Sequence, residues 1–108
     1  MDVDYNRDHV VFKNRYSAFL SKPPELGDKL ESLSRTQLLI AGIAANVCVE
    51  STLRDAMQLD YEVVLVSDGT TAPEAAALQN TLYNTRLFFG DVQTADEIAI
   101  KLRKSQTN

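Results

Sequence analysis

Three short apolar runs separated by helical patterns constrain this chain more than any other feature of its sequence. The runs are His9 to Phe12, Gln37 to Ile43 and Glu62 to Ser67, and the last reads Glu-Val-Val-Leu-Val-Ser. Continuous apolar strands suit a sheet covered on both faces, because a solvated face would alternate apolar with polar residues. Amphipathic helices follow each run. Leu26, Leu30 and Leu33 fall at i, i+4 and i+7 behind Pro23 and Pro24, with Glu31 one turn before Arg35 as its ion-pair partner. Val49, Leu53 and Ala56 share a second apolar face beside Met57. Thr71 and Glu74 have capping-box spacing ahead of Leu78 and Leu82, and Thr94 and Glu97 repeat it ahead of Ile98 and Leu102. The order strand, helix, strand, helix, strand, helix, helix predicts right-handed crossovers and an α/β fold. Its sheet is three-layered and parallel, with helices on both faces.

The chain has 108 residues, enough for one folded unit and short for a sheet covered on both sides. Its net charge of −4 disfavours a phosphate backbone, so nucleic acid is excluded as a partner. The polar, acidic start from Met1 to Arg7 is unlike a signal peptide, which places the protein in the cytoplasm. The longest apolar stretch, Leu38 to Val49, includes Gly42 and Asn46 and is shorter than the roughly 18 residues a membrane helix needs. One cysteine and one histidine give neither an internal disulfide nor a Cys/His zinc site, and no cofactor is expected.

Parallel α/β sheets bind ligands at the carboxyl ends of their strands. The three runs end at Lys13, at the turn from Gly42 to Cys48, and at Asp68-Gly69, so these groups are expected on one rim. On position alone, Lys13 and Asp68 read as solvated strand ends. Cys48 follows a strand and a tight small-residue turn and opens the next helix, where unpaired N–H groups favour a thiolate and can hold an oxyanion. A buried structural cysteine fits the same spacing. Ser51 and Thr52, one turn into that helix, are expected to bond back to their own backbone. His9 reads as a surface residue and Phe88-Phe89 as core.

Two segments carry a resemblance to a known family. Val11-Phe12-Lys13-Asn14-Arg15-Tyr16-Ser17-Ala18-Phe19 resembles the lysine strand and Ser-x-Phe turn of the isochorismatase-like cysteine hydrolases. This group includes nicotinamidases, N-carbamoylsarcosine amidohydrolases and ureidoacrylate amidohydrolases. The segment from Gly42 to Ala56, with Asn46-Val47-Cys48-Val49-Glu50-Ser51-Thr52 at its centre, is similar to the family's nucleophile motif. Ser67-Asp68-Gly69 resembles a later turn of the family, and Asn84-Thr85 with Phe88-Phe89-Gly90-Asp91-Val92 resembles the ureidoacrylate amidohydrolase branch.

The resemblance implies a Rossmann-like fold and a hydrolase acting on a small amide, carbamoyl or ureido compound through a Cys acyl-enzyme. Lys13 and Cys48 would be two members of an Asp-Lys-Cys set. A non-proline cis peptide would precede Ala44, whose amide would form an oxyanion hole with that of Cys48. The third member, an aspartate near the start of the family domain, has no counterpart here. Asp68 aligns with a later strand, Asp2, Asp4 and Asp8 fit no family position, and Ala45 stands where the family often has threonine. Residues 1–108 are therefore read as a partial isochorismatase-like domain truncated at its N-terminus, with no metal carried over. Such a chain is expected to expose a sheet edge and to self-associate. The alternative is a catalytically inactive remnant or interaction module. A phospho-receiver domain is excluded, since there the aspartate precedes the lysine.

Overall fold

The computed structural model describes residues 2–106. Helix α1 (Leu26–Ser32) leads into strand β1 (Gln37–Ile43), and α2 (Glu50–Gln58) connects it to β2 (Glu62–Thr71). Then come α3 (Ala75–Asn84), the short strand β3 (Asp91–Gln93) and α4 (Ala95–Gln106). The sheet runs β1-β2-β3 and both pairings are parallel, as strands joined by crossover helices must be.

Side chains alternate between the two faces of a strand. Val63 and Leu65 of β2 are buried against Val49, Leu53, Ala56 and Leu82, which belong to α2, α3 and the turn before α2. Leu53 and Leu65 are completely enclosed, and each such side chain contributes about 1.5–3 kcal/mol. Val64, between them, faces the other way. It lines a cleft of about 360 Å³ with Leu39 of β1 and Ile98 and Leu102 of α4. The sheet is thus sandwiched between α2 with α3 and α4, the expected three layers.

Two strand assignments change. Residues 8–14 are irregular, and Val10 and Phe12 are exposed, so His9 to Phe12 is not a strand. A strand needs a neighbour to accept its ladder, and none of the described strands pairs with this run. The third parallel strand is instead Asp91–Gln93, whose three residues are too few for a period-two signal.

The expected cap at Thr71 also fails. β2 continues through Thr71, which pairs with Ile43, and α3 starts after Glu74 with no side-chain cap. The extension passes through an irregularity. Ile40 faces Leu65, but Gly42 faces Thr70, so the β2 segment between them bulges from the ladder. The Thr94–Glu97 box does form, with Glu97 N–H donating to Thr94 Oγ1 at 3.1 Å and Thr94 N–H to Glu97 Oε1 at 3.0 Å. Among the described residues Glu31 and Arg35 do not pair. No helix among them is long and apolar enough to cross a membrane.

Candidate active site

The end of β1 sets the position of Cys48. Gly42 has φ 122°, a conformation that side chains disfavour, and the Ile43–Ala44 peptide bond is cis. Ala45–Val49 then forms a π-helical turn rather than the first turn of a regular helix. Val47 and Val49 N–H groups both donate to the Ala44 carbonyl, at 3.1 and 3.2 Å. Cys48 is a free thiol inside this turn and half-buried. The Ala44 amide donates to no protein acceptor among the described residues.

Glu50 anchors the turn from behind. Its Oε1 accepts from Thr81 Oγ1 of α3 at 2.7 Å, and its Oε2 pairs with Arg54 at 2.7 Å. The Arg54 guanidinium lies 4.6 Å from the Phe89 ring centroid, a cation–π contact. Phe89 packs against the core as read from the sequence, but Phe88 is 67% exposed, with its ring centroid 6.1 Å from that of Phe89.

Lys13 lies on a loop, not at a strand end. Its Nζ donates to the carbonyls of Arg15 at 2.7 Å and Tyr16 at 3.3 Å. Asn14 closes the loop, its Nδ2 donating to the Lys22 carbonyl at 2.8 Å and its Oδ1 accepting from Lys22 N–H at 2.9 Å. Phe19 sinks into the core, with its ring centroid 5.7 Å from that of Tyr61.

Lys13 and Cys48 together line two cavities. One, of about 420 Å³, is completed by Asn14, Arg15 and Tyr16. The other, of about 210 Å³, is completed by Ala18, the end of β1, Val49 and Thr52. Neither is lined by a carboxylate. Asp68, expected on the same rim, sits in the β2 bulge, where its Oδ1 accepts from Ala95 N–H at 2.9 Å at the start of α4. No cluster of three His, Cys, Asp or Glu residues among those described could hold a metal ion.

The sequence missed Thr52. Its Oγ1 accepts from Ala18 N–H at 3.1 Å instead of turning back onto its own helix. The available signal was its place four residues after Cys48, on the same helical face.

The family model of the isochorismatase domain matches residues 2–97. The chain belongs to the isochorismatase family. It is 45% identical over 91 residues to the ureidoacrylate amidohydrolase RutB of Variovorax paradoxus, a match covering 83% of this chain and 35% of the relative. The RutB of Stutzerimonas stutzeri is 44% identical, with 82% of this chain and 36% of the relative covered. This isochorismatase-family chain therefore spans about a third of the length of these relatives. Among solved structures it resembles an isochorismatase-like hydrolase from Alkaliphilus metalliredigens, with a TM-score of 0.78 and 29% identity over 83% of this chain and 48% of that one. A cysteine hydrolase from Pseudomonas syringae gives a TM-score of 0.79 at 27% identity, covering 85% and 47%.

Proposed function

We propose that this chain carries the nucleophile and the lysine of a cysteine hydrolase acting on a small ureido, carbamoyl or amide compound. The observation that carries the reading is the pair of cavities lined by both Lys13 and Cys48. In the proposed reaction Cys48 Sγ adds to the carbonyl carbon, and the resulting oxyanion is held by the amides of Ala44 and Cys48. Collapse breaks the C–N bond, the leaving nitrogen takes the proton that the Cys48 thiol gave up, and water then cleaves the thioester, its hydroxyl going to the acyl carbon and its other hydrogen back to the thiol. The Lys13 ammonium favours the anionic species along this path. The relatives named as ureidoacrylate amidohydrolases supply the first candidate substrate.

A second reading is favoured by the lack of a carboxylate in either cavity. Proton transfer by such a group typically contributes about 10²–10⁴-fold, so the chain alone would be a silent module, self-associating through its sheet edge. Hydrolysis of ureidoacrylate, nicotinamide and N-carbamoyl compounds by the wild type and by Cys48→Ser separates the two. Weak turnover that vanishes in Cys48→Ser is the expected outcome; no turnover in either protein leaves the module.

A further inference from the structure

We infer that Thr52 is a positioning residue, which holds the Lys13 loop in register with the Cys48 turn; the inference rests on the functional reading above. The loop from Lys13 to Lys22 is closed on itself by Asn14, and its Ser17, Phe19 and Ser21 are buried. Phe19 packs in the core with Val49 and Leu53 and so brings the loop against α2, but apolar packing carries no directional bond that sets its register. Among the described residues, one hydrogen bond joins the loop to α2, that from Ala18 N–H to Thr52 Oγ1. Thr52 lies one helical turn beyond Cys48, and both line the smaller cavity with Lys13 and Ala18. The bond therefore ties the backbone that carries the ammonium to the helix that continues from the thiol's turn. A side chain that only filled space would not need an oxygen here. Valine would keep the volume and leave the partly buried Ala18 amide without an acceptor.

The ratio of Cys48 alkylation rates with iodoacetate and with iodoacetamide tests this, because the two reagents differ in charge and the ratio reads positive charge at the thiol. Lys13→Ala is expected to lower the ratio about fivefold. Thr52→Val should lower it in the same direction, Thr52→Ser should restore it, and Thr52→Val should add nothing in a Lys13→Ala background. In Thr52→Val the Ala18 amide should also exchange about tenfold faster. Ala18→Pro removes the same bond from the donor side, at the first position of a short helical turn where proline is tolerated, and should repeat the effect of Thr52→Val. If Lys13→Ala lowers the ratio while Thr52→Val and Ala18→Pro leave it at the wild-type value, the role of Thr52 is overturned and the Lys13–Cys48 reading stands. An effect of Thr52→Val that persists after Lys13→Ala likewise overturns the role. If Lys13→Ala leaves the ratio unchanged, the functional reading falls and takes the positioning role with it.

Discussion

Gly90 has no side chain because β2 occupies the space that one would need. A Cβ built there would overlap the Val63 carbonyl oxygen, which belongs to backbone and cannot rotate away. Its φ of 171° is ordinary extended geometry, so the constraint is the close approach and not the conformation. Gly90→Ala should destabilise the chain by about 1–3 kcal/mol through overpacking. In thermal unfolding this appears as a Tm lowered by roughly 4–8 °C per kcal/mol. A Tm equal to that of the wild type would show that β2 shifts at no cost. Local motifs singled out Cys48 and Lys13 as candidates through their resemblance to the family, where position alone left each open to a structural reading. They could not reveal Thr52, whose hydroxyl finds its donor 34 residues earlier in the chain, at Ala18.

Helix α4 begins with the one predicted capping box that forms. Glu97 is held below its ordinary value of 4.5 by hydrogen bonds from the Thr94 backbone and side chain, with the Lys101 charge adding to the effect. Asp91, in β3 just before the helix, is also lowered, first by the Gln93 side chain and then by the Val92 amide. A depressed carboxylate stabilises the folded state fully above its unfolded value. That stabilisation is lost as the pH falls through the lower, folded value. Amide exchange at Thr94, followed from pH 6 to pH 3, should therefore lose protection below about 4.5, the ordinary value for Glu97. Glu97→Gln should weaken the acid dependence, and an unchanged pH profile in that variant would remove Glu97 as its source. The other box failed for a nonlocal reason: Thr71 pairs with Ile43 in the ladder and cannot also cap α3. Capping spacing is necessary for such a motif, but a competing strand decides whether it is used.

At the scale of the whole molecule, β1 is the exposed margin of the sheet. Its outer edge has no partner among the described strands, and Leu39 and Ile43 are 54% and 72% exposed. An unpaired edge with apolar side chains invites another strand. Sedimentation should therefore find the chain self-associated, and Leu39→Lys should shift it toward monomer; a monomeric wild type at high concentration would defeat the prediction. Periodicity and side-chain patterning are local, and they were enough for the α/β class, two of the three strands and the apolar faces of the helices, while the resemblance of two segments to the family pointed to Lys13 and Cys48 as candidates. Tertiary structure decided that His9 to Phe12 stays unpaired, that Asp91–Gln93 becomes the third strand, that Asp68 serves α4 and that Thr52 holds the lysine loop. Each of these depends on which distant backbone or side chain arrives as a hydrogen-bond partner, and a partner remote in sequence leaves no periodic trace in the segment it completes.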